Sequence, residues 1–234
     1  MRFINKDRSS PLAFSGIVQQ VIDTPDNSGY ESLGRLRPML LEYLIIEQHG
    51  LCAYCNQRIT KETATVEHLI CQSHNSNFDL NYHNLFAVCK GNEGVNQTSH
   101  CDKFRANSKK NDYFLPFILF EQCLTSSWNQ TNPFFDVEFN RKSGVISGKI
   151  EAKQANVKGY PSVNSRITYA IDTLNLNTPV LVNARKSKWE MVLQTKQEKG
   201  IDWQSLFNYY LNSTSLTDFH EFVLLAIRKQ EISK

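Results

Sequence analysis

The sequence predicts an α+β fold. A small core of strand, loop, strand and helix, held by clustered cysteines, sits between a mostly helical N-terminal element and a helical C-terminal region that contains a β-hairpin. Three observations carry this. The six cysteines of the 234-residue chain fall at 52, 55, 71, 89, 101 and 123, all in its middle. Apolar residues alternate through 134–139 and 145–150 on either side of a Gly-containing stretch. Beyond Pro161 the apolar pattern turns helical and stays so.

Composition sets the outer limits. Hydrophobic residues are 41% and charged residues 21%, the balance of a globular chain and not of a disordered one. The longest apolar run, 113–120, is interrupted by Pro116 and is far shorter than the roughly 20 residues a membrane span needs. The opening Met1-Arg2-Phe3-Ile4-Asn5-Lys6-Asp7 turns polar before an apolar stretch builds, so no secretory signal is expected. Lys and Arg number 26 against 23 Asp and Glu, and the resulting +3 neither demands nor excludes a nucleic-acid partner. Three regions are expected: an N-terminal arm and helix over 1–50, a cysteine-bearing core over 51–112, and a mostly helical region over 113–234.

The first 30 residues carry Pro11, Gly16, Pro25 and Gly29 and read as an extended arm. The tract 36–50 reads as a helix, with Pro38 in its first turn and Gly50 just past its end. Strands are expected at 64–66 and 85–88, separated by a polar loop over 72–82, with a helix opening near Cys101. Residues 111–140 hold no Lys or Arg and four acids, whereas 141–166 hold six Lys or Arg and one Glu. Hairpin strands are expected at 134–139 and 145–150, and helices at about 165–175, 179–196, 202–212 and 216–231.

Cys52 and Cys55 form a C-x2-C knuckle that aims two thiolates at one metal, and a closed tetrahedral zinc site needs a second pair. Cys89, after a predicted strand, and Cys101, at a predicted helix start, supply it. The bland alternative is that these two are ordinary cysteines, because their spacing is wider than a standard second knuckle. Cys71 and Cys123 sit among apolar neighbours and read as buried thiols. In a reducing compartment clustered cysteines are more often metal ligands than disulfides.

Between the cysteine pairs lie Glu67-His68 at a strand end, Asn84-Leu85 entering the second strand, and Cys101-Asp102 opening a helix with Lys103 and Arg105 behind it. This order resembles the HNH, or ββα-metal, endonuclease family. The resemblance implies a ββα-metal core stabilised by zinc on four cysteines, and metal-dependent phosphodiester hydrolysis. His68 would be the general base and Asn84 would orient it. Glu67 and Asp102 would ligate a catalytic divalent cation, Mg²⁺ or Mn²⁺. The zinc on Cys52, Cys55, Cys89 and Cys101 would be structural. The family's last ligand is usually His or Asn soon after the final cysteine. Here Asp102 takes that place, with His100 second and Asn107 third. His49, His74 and His83 read as solvated or capping residues, and His220 as structural. The basic residues of 103–110 and 141–158 read as phosphate contacts or, more blandly, as a solvated face.

A wider resemblance joins Met1-Arg2-Phe3-Ile4, the helix before the Cys-x-Tyr-Cys knuckle, and the tract 166–177 ending Leu174-Asn175-Leu176-Asn177, followed by Leu181 and Arg185. It is similar to the HNH subunit (PtuB) of Septu anti-phage systems, whose relatives serve as effectors in some retrons. That resemblance implies a bacterial cytoplasmic protein working with an ATPase subunit like PtuA, or with a retron reverse transcriptase and its non-coding RNA/DNA. Two other functions compete: a zinc-stabilised nucleic-acid-binding module without catalysis, and an interaction protein with a degenerate HNH fold. The substrate, DNA or an RNA such as tRNA, is not specified by the sequence.

Overall fold

The computed structural model describes residues 4, 6, 30–72, 79–92, 98–107, 134–140, 142–153 and 163–232, without the side chains of 106, 107, 163–166 and 232. Most of the expected arm, and His74 and Cys123, lie outside the described residues.

A single 3₁₀ turn, Tyr30–Leu33, leads into α1, Leu36–Glu47. Pro38 stands in its first turn, where its missing N–H removes no helical bond. The helix closes with paired bonds, Gly50 N to Ile45 O at 2.8 Å and His49 N to Ile46 O at 2.9 Å. This is a Schellman closure. His49 (φ 57°) carries the left-handed turn ahead of Gly50 (φ 71°), so the reversal begins one residue earlier than the sequence suggests.

Strand β1, Ala64–His68, pairs antiparallel with β2, Leu85–Cys89, in a register that sets Ala64 opposite Cys89 and His68 opposite Leu85. Both strands outrun the expected segments at their C-terminal ends. All five residues of β2 are buried, because α1 covers it together with α2, Cys101–Asn107. A two-stranded ribbon is marginal alone, and here it is covered by helices and pinned by the cysteine cluster at its end.

The hairpin forms as β3, Phe135–Asn140, and β4, Val145–Ala152, with an irregularity in register between Val137 and Phe139. Asn140 makes the turn: its Oδ1 accepts from Lys142 N (3.0 Å) and Ser143 N (3.2 Å), and its carbonyl accepts from Gly144 N (2.8 Å). Four helices follow: α3 Val163–Thr173, α4 Pro179–Lys199, α5 Trp203–Leu211 and α6 His220–Ile232. Pro179 opens α4, and Gly200 (φ 59°) closes it. Asp202 caps α5 by accepting from Ser205 N at 2.7 Å. The last helix starts later than expected. Phe219 (φ 54°) donates its N–H to Asn56 O at 2.8 Å, so the cysteine knuckle holds the chain out of helix there.

The hairpin lies on α3 and α4 through β4 and on α6 through β3. The segment 174–177 ties it to the cysteine core. Leu174 O accepts from Cys101 N (2.8 Å), and Asn175 Nδ2 donates to Ser99 O (2.9 Å). Asn177 pairs with both backbone groups of Ile150, at 3.0 and 2.8 Å. Arg185, 1% exposed, donates to Gly148 O (3.0 Å) and to Leu176 O, and lies over the Phe219 ring. Its neighbours are backbone carbonyls, the Asn177 side chain and an aromatic face, so the guanidinium acts as a clasp between hairpin and helices.

Candidate functional site

Two clusters stand at the two ends of the β1–β2 ribbon. At the first, one sulfur from each of Cys52, Cys55, Cys89 and Cys101 lies within 4.8 Å of the others, and all four residues are buried. Cys55 Sγ and Cys89 Sγ are 3.7 Å apart. A tetrahedron with Zn–S bonds of about 2.3 Å has edges of roughly 3.8 Å, so the donor set fits a structural metal such as zinc. Burial works against ionising Cys52, yet contacts from the Cys101, Cys55 and Cys89 thiols hold it well below the usual thiol range. Burial and the same neighbours push Cys101 well above it. Four crowded thiols in an apolar setting cannot all become thiolates unless a cation neutralises them. His100 belongs to this cluster: its Nδ1 is 3.3 Å from Cys101 Sγ and 3.8 Å from Cys89 Sγ. Cys71 is partly exposed and lies apart from these four.

At the other end of β1, Glu67 and His68 are both 8% exposed. Glu67 Oε1 accepts from Tyr54 OH (2.9 Å) and from Arg105 Nη1. Burial, reinforced by the neighbouring Asp102 carboxyl, pushes Glu67 up to about 8 despite Arg105. The structure therefore brings Glu67 and Asp102 together, from a strand end and the first turn of α2. Among the described residues only the four cysteines form a three-or-more ligand cluster, so Glu67 and Asp102 adjoin without a third close protein ligand. The Asn107 side chain lies outside the described residues.

The His68 ring is held from two sides. Its Nε2 is 3.0 Å from Asp79 O, and the Tyr30 ring meets it edge-on at 4.9 Å between centroids. A carbonyl only accepts, so Nε2 carries the proton and Nδ1 keeps its lone pair. Burial lowers the His68 pKa from its ordinary value, which keeps the ring neutral near pH 7. Asn84, 1% exposed, clamps the chain just past β1: Oδ1 accepts from Ile70 N (2.6 Å), Nδ2 donates to Ile70 O (3.1 Å), and its carbonyl accepts from Leu69 N (2.9 Å).

Two residues here were not singled out by sequence, and a third was given another role. Asp79 and Tyr30 belong to stretches with no pattern, and only the fold brings them to His68. Arg105 was read with its basic neighbours as a phosphate contact. It points inward instead, 4% exposed, onto Glu67, Tyr54, the carbonyls of His68 and Leu69, and Cys71. His83 is exposed in the 3₁₀ turn Tyr82–Asn84, where Asn81 accepts its N–H, and His220 is buried at the start of α6.

No family model matches the chain. It is similar to an Escherichia coli protein named as a retron Ec83 HNH endonuclease. The two are 27% identical over 211 residues, covering 80% of this chain and 78% of that protein. The similarity is too long for a shared metal knuckle alone and extends well beyond the 51–112 core. No helix among the described residues is long and apolar enough to cross a membrane.

Proposed function

We propose that the chain is a metal-dependent HNH endonuclease that hydrolyses nucleic-acid phosphodiester bonds. The observation that carries this is the state of His68: a buried, neutral imidazole with Nε2 tied to Asp79 O and Nδ1 left as the acceptor. Nδ1 takes a proton from the attacking water as its oxygen bonds to phosphorus and the bond to the leaving oxygen breaks. Asn84 positions that base by fixing the chain at Ile70, two residues beyond His68. Glu67 and Asp102 would hold a divalent cation, Mg²⁺ or Mn²⁺, which supplies Lewis-acid stabilisation of the phosphate. The cysteine-bound zinc would be structural and stands at the opposite end of the ribbon.

The relative's name supports a nuclease in a retron-type defence system. On this reading the chain is the effector of an anti-phage complex in the bacterial cytoplasm, held in check by an ATPase subunit like PtuA. The substrate is DNA or an RNA such as tRNA. One observation favours a binding module without catalysis: Glu67 Oε1 is already taken by Tyr54 and Arg105. Profiling DNA and RNA in infected cells that carry the whole system separates the readings. Wild type should yield new nucleic-acid ends that His68→Ala does not. Identical ends from both would leave only the binding reading.

A further inference from the structure

We propose that Arg105 is a positioning residue that sets the spacing between the strand carrying Glu67 and His68 and the helix carrying Asp102. The inference rests on the nuclease reading above and gives Arg105 a role different from the phosphate contact read from its sequence.

Arg105 lies one turn along α2 from Asp102 and reaches back across the site. Its Nη1 donates to His68 O (3.1 Å), to Tyr54 OH (3.2 Å) and to Glu67 Oε1, and its Nη2 donates to Leu69 O (2.7 Å) and to Cys71 Sγ (3.1 Å). Four of these five acceptors belong to the run from Glu67 to Cys71, the end of β1 and the residues just after it. The fifth, Tyr54, sits inside the cysteine knuckle. One planar fork thus fixes the distance from α2 to the end of β1, and with it the separation of Asp102 from Glu67 and His68. The Tyr54 and Arg105 bonds to Glu67 both fall on Oε1, so this clamp does not use the other oxygen.

A buried cation beside two carboxylates has a plainer reading: Arg105 merely neutralises Glu67. The two roles make opposite predictions for a cation held by Glu67 and Asp102. A neutraliser competes with that ion, so removing its charge should tighten ion binding. A positioning fork supports the ligands, and losing it should weaken binding on the order of tenfold to a hundredfold, as for other residues that orient ligands. Lysine keeps the charge and loses the fork, because one ammonium cannot span acceptors on both sides of the guanidinium.

The test is Mn²⁺ titration of the full-length, zinc-loaded protein by calorimetry, for wild type, Arg105→Lys, Arg105→Gln and His68→Ala. Zinc content and melting temperature are measured alongside. The expected result is Mn²⁺ affinity weakened at least about tenfold in both Arg105 variants and unchanged in His68→Ala. Arg105→Gln binding as tightly as wild type or tighter would overturn the proposal. So would wild-type affinity in Arg105→Lys. If Arg105→Gln fails to fold, Arg105→Lys decides. Failure of both to fold would overturn the proposal too, since Arg105 would then hold the fold and not the site. Failure of the nuclease reading is a separate outcome: wild type would bind no Mn²⁺ at all.

Discussion

His68 combines the two properties that a general base at neutral pH requires, a lone pair kept available and a pKa below the working pH. The Asp79 carbonyl provides the first and burial the second. His68→Ala should therefore lower cleavage by about 10²–10⁴-fold while zinc content and melting temperature stay at wild-type values. Because the base must be neutral, cleavage should fall on the acid side, through a pKa below 6.5. A loss on the alkaline side would contradict that assignment. Glu67 gives a second pH effect of definite sign. Its folded pKa, about 8, lies above its ordinary 4.5, so the folded state binds more protons between those values. Without added divalent cation, its contribution to stability is complete below 4.5 and is lost as pH rises through about 8. Melting curves of wild type against Glu67→Gln should show that loss only in wild type. Glu67, His68 and Asn84 stood out as candidates because acid, imidazole and amide follow the order of the HNH family. The inward turn of Arg105 was not, since a basic residue on a seven-residue helix reads the same whichever way it faces.

Elements were legible wherever a period or a cap marked them. Alternation gave the hairpin and the helical period gave α4 and α5, whose ends the structure sets at Pro179, Gly200 and Asp202. The missed boundaries have two physical causes, a tertiary contact at the start of α6 and a local closure at the end of α1. Phe219 is drawn onto Asn56 and delays α6, and His49 takes the left-handed turn because Gly50 and Ile45 close the helix around it. The loop from β2 to α2 depends on such a contact as well. At Gly91 (φ 58°) an added Cβ would lie 2.0 Å from His100 O, where no side chain fits without moving backbone. Gly91→Ala should displace His100 and Cys101, lowering zinc per chain and melting temperature together, as read by elemental analysis and calorimetry. Removing the metal with a strong thiol-competing chelator should unfold the 51–112 segment, because binding and folding free energy are shared there. Mild chelation of Mg²⁺ should stop cleavage first, with the zinc retained.

Across the whole molecule, one contiguous set of buried residues runs from Ile4 and Leu40 through Cys101 to Ile227. The N-terminal segment contributes Ile4 and Lys6. The Lys6 ammonium lies 3.0 Å from Glu47 Oε2 and 4.4 Å from the ring centroids of Tyr82 and Phe86. Burial, offset by Glu47, brings it down to about 8. Among the described residues Lys6→Met leaves Glu47 buried with only the Tyr82 hydroxyl and should destabilise the fold by about 3 kcal/mol in denaturant unfolding. None of this pairing was legible, because a single lysine in a polar stretch gives no signal of the aromatic slot that receives it. The proposed ATPase partner and substrate lie outside what fold or composition encode. On the proposed function, the Glu67–His68–Asn84–Asp102 cluster cuts phosphodiester bonds. The direct measurement is hydrolysis of mixed DNA and RNA by wild type and His68→Ala, each zinc-loaded, at equal folded concentration, in the proposed defence complex with Mg²⁺ or Mn²⁺. Wild type should make new ends at a rate at least about a hundredfold above His68→Ala; equal rates would contradict the nuclease reading.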